Sequence, residues 1–362
     1  MKSLMRSEKR VICSNPDSMF KYFAWPSVAR LDDKTLAMVC SGFRLKHICP
    51  FGKAVICYSR DGGETWTRPA PVIDTPLDDR DGGITPFGNG RVIVTSFNNR
   101  IARQRIWNEK ANNPLINAYL DLAEQLGNEA DYLGSTYKIS NDGGCTFGEL
   151  KRSPVTAPHG PCRLNDGSLL YVGRRFNADD KFDDGSTPYI QVLRLNDKDE
   201  FEPLSYIENI PSPSGTGFVY SCEPHSIQLE SGRIVVHIRV QEGSGCFTTF
   251  QSVSDDGGHT FSKPVQLLGK LGGAPAHLLR HSSGALISAY GYREAPYGVR
   301  VMISRDDALT WDTDYVLYDE GYSSDLGYPA SVELPDGRIL TVFYENTGNG
   351  SVISQIIWKL PQ

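Results

Sequence analysis

The sequence predicts an all-β fold assembled from repeated hairpin units, and three observations carry that prediction. The first is composition: 35 glycines and 22 prolines in 362 residues, residues that punctuate turns and interrupt helices. The second is a segment that recurs four times, each copy following a short β-branched, apolar run. The third is a turn of the type Leu-x-Asp-Gly-Arg, recurring six times between two short apolar runs. Internal repetition of this kind has to be read first, because it decides the architecture.

The recurring segments are Ser59-Arg-Asp61-Gly-Gly-Glu-Thr65-Trp66, Ser140-Asn-Asp142-Gly-Gly-Cys-Thr146-Phe147, Ser254-Asp-Asp256-Gly-Gly-His-Thr260-Phe261 and Ser304-Arg-Asp306-Asp-Ala-Leu-Thr310-Trp311. The residue types suit a tight turn: Asp accepts from backbone N–H groups, Gly takes positive φ, and the aromatic packs back between strands. The hairpin turns lie at Leu31–Lys34, Phe87–Arg91, Leu164–Ser168, Leu229–Arg233, Arg280–Ala285 and Leu334–Arg338.

These segments are Asp boxes (BNR repeats), and the chain resembles the sialidase superfamily, implying a six-bladed β-propeller over a single domain, 1–362. On this reading the third blade carries a degenerate box near Leu195–Phe201 and the sixth has none. The sixth runs out at Ile353–Leu360, one strand short, and the N-terminal run Arg10–Ser14 is expected to close it, removing an exposed sheet edge. The segment 105–127 breaks the β pattern. It has Leu115, Ala118, Tyr119, Leu122 and Leu126 at helical spacing, with Pro114 near the helix start. It reads as a helical insertion in the second blade: a wall or lid over a cleft, or a homo-oligomer contact.

A net charge of −6 argues against nucleic acid or an anionic membrane as partner. No apolar run is long enough to span a bilayer. The start, MKSLMRSEKRVICS, lacks a signal peptide's apolar core, so a cytoplasmic location is expected. The eight cysteines (13, 40, 49, 57, 145, 162, 222, 246) form no CxxC pair and read as reduced, mostly buried thiols rather than disulfides or a zinc site. No cofactor and no metal are expected.

If each inner strand starts at the top of the ring, the Asp-Gly turns and Asp boxes lie at the bottom and are structural. The top then collects the starts of inner strands, Ala24-Trp25-Pro26, Arg80-Asp81-Gly82, Pro158-His159-Gly160, Cys222-Glu223-Pro224-His225, Ala276-His277 and Gly327-Tyr328-Pro329. It also collects the ends of second strands, among them Arg44, Arg174-Arg175, Arg239, Arg293 and Glu345. Convergence of arginines, carboxylates, histidines and tyrosines on one concavity marks a binding or active site. Consecutive strand residues point to opposite sides, so at most one of Arg174 and Arg175 is expected to face it.

The resemblance implies roles. Family sialidases use a tyrosine nucleophile, a glutamate that activates it, an arginine triad for the substrate carboxylate, and an aspartate acid/base. Tyr328, preceding the last Leu-Pro-Asp-Gly turn, matches the nucleophile. Glu223, sixteen residues before Arg239, matches the glutamate paired with a triad arginine. Arg293, preferred over Arg300, would be another triad member, and Glu345 would orient one of the arginines. Two departures follow: the place of the family's first arginine reads Phe23-Ala24-Trp25-Pro26, and residues 41–58, where the aspartate belongs, contain no Asp or Glu. Arg44 is the candidate substitute for the arginine. Asp81 (or Asp79) and His47 are the candidates for the acid/base, and Arg80 and Arg175 complete the expected substrate-binding cations.

The expected activity is that of an exo-acting glycoside hydrolase releasing a terminal acidic sugar from a glycan partner. The alternatives are a lyase acting on uronic-acid glycans through a Tyr/His pair, and a glycan-binding propeller without catalysis.

Overall fold

Long apolar strands must be covered on both faces, and sheets stacked side by side around an axis do this. In a computed structural model, residues 2–178, 188–212, 218–241, 247–269, 273 and 275–361 are described. They form an all-β propeller. The second strand, Leu36–Arg44, is buried over almost its whole length, because neighbouring sheets pack on both its sides. Ala37, Val39 and Ile56 of one sheet interleave with Ile84, Val92 and Val94 of the next. Further round, Leu170 and Val172 meet Ile234 and Val236 in the same way. Inner strands touch in chain order, and Leu326–Glu333 returns to touch Tyr22–Arg30, so the ring is closed.

Hydrogen bonding divides the strands into five sheets rather than the six separate blades expected: two of four strands, two of five, and one of eight. The eight-stranded sheet arises because Ser351 pairs in parallel with Tyr22, joining the last strands of the chain to the first. The strand Arg10–Cys13 pairs antiparallel with Ser351–Trp358. Lys9 just before it forms an ion pair with buried Glu345 at 2.6 Å.

The four Asp-box segments fold alike. In the first, the Ser59 hydroxyl donates to Asp61 (2.8 Å) and accepts from the Gly63 N–H (2.9 Å), while Asp61 accepts from the Thr65 N–H (2.9 Å) and hydroxyl (2.6 Å). The same bonds recur around Asp142, Asp256 and Asp306. Each box is also tied to the preceding strands of the ring. Gln355 donates to the Gly63 carbonyl, Tyr58 to Gly144, Ser205 to Gly258 and Gln251 to Ala308. Gln355 and Gln251 additionally accept from the indoles of Trp66 and Trp311, at 2.9 and 2.8 Å.

Between the strands Arg91–Phe97 and Ser135–Ser140 the chain forms helices at Ile101–Asn108, Pro114–Leu126 and Glu129–Tyr132. Asn113 caps the long one, accepting from the N–H groups of Leu115 and Ile116, with Pro114 in the first turn. The buried stripe is Ile116, Leu120 and Ala123, not the one expected from Leu115, Leu122 and Leu126, which are 40–60% exposed. Both stripes are apolar; the one that meets Cys49, Leu77 and Ile101 is the one buried. Among the described residues no helix is long and apolar enough to cross a membrane. Cys13, Cys40 and Cys57 share one core cluster, and Cys246 lies outside the described residues.

Candidate functional site

Four inner strands begin with the same backbone irregularity. Their pairing with the second strand shifts by one residue, and two residues of the inner strand stand against one of its partner: Trp25-Pro26, Asp81-Gly82, Glu223-Pro224 and Tyr328-Pro329. In three of the four the second residue is proline, which offers no N–H to the ladder; in the other it is Gly82. The first residue of each pair has positive φ: 56° at Trp25, 49° at Asp81, 47° at Glu223 and 49° at Tyr328. For non-glycine residues this conformation is costly, and side chains held in it cluster where chemistry needs them aimed. In the third sheet the inner strand is interrupted altogether, and Gly160 (φ 80°) lets it approach the second sheet. A Cβ on neighbouring Gly83 would come within 2.4 Å of the Gly160 nitrogen.

The bulges bring Asp81, Glu223 and Tyr328 to one cavity of about 220 Å³, also lined by Arg80, Arg174, Arg175, Cys222, Tyr220 and Trp107. The direction of the inner strands follows. Asp81, Pro158 and Glu223 line this upper cavity, while Ile84, His159 and His225, farther along the same strands, line a second one of about 560 Å³. Between them the buried rings of His159, His225 and His277 pack together, with centroids 4.3 Å apart for the stacked pair His225–His277. His159 stands edge-on to both, at 5.0 and 5.5 Å. Burial holds all three imidazoles well below their ordinary pKa. His225 Nδ1 accepts from the Leu278 N–H (2.9 Å) and His277 Nδ1 from the Ser331 N–H (3.3 Å).

In the upper cavity, the Tyr328 hydroxyl donates to Glu223 Oε1 at 2.6 Å, and Arg239 donates to Glu223 Oε2 at 2.6 Å and to the Tyr328 oxygen at 3.2 Å. Arg239 and Arg293 both lie over the Phe247 ring, at 4.4 and 5.3 Å, and Arg293 lies 5.6 Å from the centre of the Tyr328 ring. Arg293 is braced by the Leu326 carbonyl (3.0 Å) and the Tyr344 hydroxyl (3.4 Å). Burial and the charge of Glu223 push the Tyr328 phenol well above its ordinary pKa, against the pull of Arg239 and Arg293. Burial alone would lower the Arg239 pKa, but Glu223 holds it well above the usual value.

Asp81 is 6% exposed, and its Oδ1 has no hydrogen-bond partner among the described residues. Burial, reinforced by the Glu223 charge and opposed by Arg80, raises its pKa to about 7. Asp79 is raised to about 7 as well, by burial, yet its oxygens are spent on Thr75 and Asn98. Of the two, only Asp81 faces the cavity.

Several expected site residues are elsewhere. Arg44 is fully enclosed, bound to Asp78 (2.5 and 3.1 Å) and Ser41 (2.9 Å) beneath Trp25, so it does not reach the cavity. Glu345 touches no arginine; it is bonded to Lys9, Tyr318 and Ser354, because strand alternation turns it away and turns Tyr344 inward. Arg300 is buried against the Tyr318 and Pro296 carbonyls. His47 is bonded to Tyr22 (2.8 Å) and Asp325 (3.0 Å) and packs on Trp25, outside the cavity lining. Burial lowers its pKa, and Asp325 opposes the shift. Arg174 and Arg175 both line the cavity, contrary to the alternation argument, although both lie within the strand Leu169–Arg175.

Trp25 and Asp325 are the residues sequence reasoning passed over. Trp25 occupies the first bulge, with Arg80 stacked 4.1 Å from its ring and Tyr328 and Tyr344 edge-on at 6.3 and 6.2 Å. Asp325 accepts from Tyr22 (2.8 Å), Tyr344 (3.1 Å) and Asn346 (3.1 Å), bracing the network behind Arg293. The X-Pro dipeptide shared with Glu223-Pro224 and Tyr328-Pro329 is the signal that points to Trp25; Asp325 sits in a loop with no motif.

The fold is that of a sialidase-like β-propeller. No family model and no curated relative matches the sequence. Among solved structures, a protein of unknown function from Dyadobacter fermentans superposes with a TM-score of 0.74 at 22% identity, over 99% of both chains. The intramolecular trans-sialidase from Ruminococcus gnavus gives 0.65 at 14% identity, over 97% of both chains. The NanB sialidase from Streptococcus pneumoniae gives 0.65 at 13% identity, over 99% of this chain and 70% of that one.

Proposed function

We propose that the protein is an exo-acting glycoside hydrolase releasing a terminal acidic sugar, built on a ring that counts as six blades when the eight-stranded sheet is divided at its single parallel pair. The observation that carries this reading is the Tyr328–Glu223–Arg239 contact set, two bonds of 2.6 Å around one carboxylate. Because the phenol's pKa is raised, a standing phenolate is disfavoured. Glu223 therefore takes the proton as the Tyr328 oxygen bonds to the anomeric carbon. The glycosidic C–O bond breaks as Asp81, protonated below about pH 7, gives its proton to the leaving oxygen. Water then attacks the sugar–tyrosine bond, losing a proton to the Asp81 carboxylate, and Glu223 returns its proton to Tyr328.

A tyrosine nucleophile avoids setting a carboxylate against an anionic substrate. Arg239 and Arg293 would grip the substrate carboxylate. With Trp25 at the place of the family's first arginine and Arg44 enclosed, this is a two-arginine clamp. The test is a screen of terminal sialic, other nonulosonic and uronic acid glycosides with product analysis, on the wild type and Tyr328→Phe. Full activity of the variant overturns the nucleophile assignment, and products absorbing in the ultraviolet would show elimination rather than hydrolysis.

A further inference from the structure

The ring holds a second cavity that the reaction above does not use. It lies beyond the three imidazoles from Asp81 and Glu223, and its volume of about 560 Å³ suits a small molecule. Its described lining includes Arg163 and Arg280 but no Asp or Glu. Elsewhere in the ring the enclosed arginines are met: Arg44 by Asp78, Arg239 by Glu223, Arg300 by backbone carbonyls. Arg280 is different. Its Nη1 is buried without a hydrogen-bond partner among the described residues, and the side chain makes no ion pair with them. Cys162, in the same wall, is close enough for the Arg280 charge to act on it, yet burial pushes its thiol up to about 12, so it offers no anion at neutral pH. Arg163, exposed on the same cavity, likewise has no ion-paired partner among the described residues.

The floor supplies a second unmet group. His159 is 2% exposed, and its Nδ1 lies 2.9 Å from the Ser27 hydroxyl oxygen. Ser27 gives its own hydrogen to the Pro158 carbonyl at 3.1 Å, so it accepts from Nδ1. Burial keeps the imidazole neutral, which leaves Nε2 as a bare acceptor. That nitrogen is buried and has no hydrogen-bond partner among the described residues. His277, whose ring lies 5.0 Å from that of His159, is three residues before Arg280 on one strand, about 10 Å of rise. The unmet acceptor and the unpaired cation therefore fall within reach of one molecule.

We propose that this lower cavity is a second ligand site, for a small polyhydroxy compound carrying one anionic group, a carboxylate or a phosphate. Arg280 holds the anionic group, and Arg163 adds to the attracting field. A hydroxyl of the ligand donates to His159 Nε2, meeting a buried acceptor that is otherwise costly to leave unmet. A free sugar acid and a phosphorylated sugar both belong to this class. The site does not depend on the role given to Tyr328.

The test is calorimetric titration of the protein with glucuronate, glucose-6-phosphate, acetate and glucose. Glucuronate or glucose-6-phosphate should bind about tenfold or more tightly than acetate, which lacks the hydroxyls, and than glucose, which lacks the charge. The tighter of the two shows which anionic group the site takes. Arg280→Gln should weaken that probe by about tenfold or more, and Arg280→Lys should keep part of the affinity. Because Arg280 has no partner to lose, both variants should melt as the wild type does. His159→Phe should narrow the gap between glucuronate and acetate; if it does not fold, the wild type's preference for glucuronate over acetate decides the hydroxyl contact. Arg293→Met reports on the upper cavity. Affinity lost in Arg293→Met and kept in Arg280→Gln places the probe there and overturns the lower site. Equal affinity for glucose and the charged probes overturns it too, as does the absence of binding by either charged probe at millimolar concentration.

Discussion

The two ends of the strands obey opposite rules. At one end, four Asp-box turns repeat the same residues in the same bonds, and positive φ falls mainly on glycine, at 62, 63, 143, 144, 257 and 258. At the other end, four bulges repeat the same backbone, and positive φ falls on an indole, two carboxylates and a phenol, at Trp25, Asp81, Glu223 and Tyr328. Where side chains repeat, they hold neighbouring sheets together. Where only the backbone repeats, each strand is free to present something different, and the groups of the candidate site collect there.

The sharpest way to break this contrast is at the bulges. Tyr328→Phe and Glu223→Gln should each lower kcat on order of 10³-fold or more in a glycosidase assay, with the melting temperature little changed. Asp81→Asn should cost about 10²–10⁴-fold on substrates with poor leaving groups, and far less on nitrophenyl glycosides, which need no proton. The wild type's kcat/KM should fall as pH rises through about 7, where Asp81 ionises, and the variant should lose that limb. The sign of the stability effect is fixed as well. A carboxyl whose folded pKa is raised binds more protons folded than unfolded, so stability falls as pH rises from the ordinary aspartate value to about 7. Melting curves across that range should flatten in Asp81→Asn, with Asp79 supplying the remainder.

Arg44→Met tests whether the enclosed arginine is scaffold. Leaving Asp78 buried without its partner should cost about 3–5 kcal/mol in denaturant unfolding. If the variant instead stays stable and raises KM for an acidic substrate alone, Arg44 reaches the substrate after all. The smallest effect belongs to the Asp boxes. Asp61→Ala removes one turn cap, should cost about 1 kcal/mol, and should leave kcat/KM as it was.

Legibility followed the same division. The boxes could be read because the turn demands Ser, Asp and Thr by type in all four and takes Gly at its positive-φ positions in three. Glu223 and Arg239 could be read together because they face each other across one hairpin, with Cys222 opposite Arg239 in register. Trp25 was hidden because its position is set by φ and by the following proline, which leave the side chain free to vary. Glu345 was misplaced by one strand position, since neighbouring residues point to opposite faces and Tyr344 is the one that reaches Arg293. The helix stripe failed for a related reason: two apolar faces compete, and only the partner surface decides between them. The bonds of Asp325 join residues far apart in the chain, so local patterns carried no trace of them.

The stacked pair His225 and His277, with His159 edge-on to both, puts a floor in the ring. A well closed at its base admits a polymer only tip first, so threading a chain through the axis and sliding along it are both barred. A ligand held above these rings can leave only through the mouth by which it came. A processive enzyme could not be built on this axis without first dismantling His159, His225 and His277.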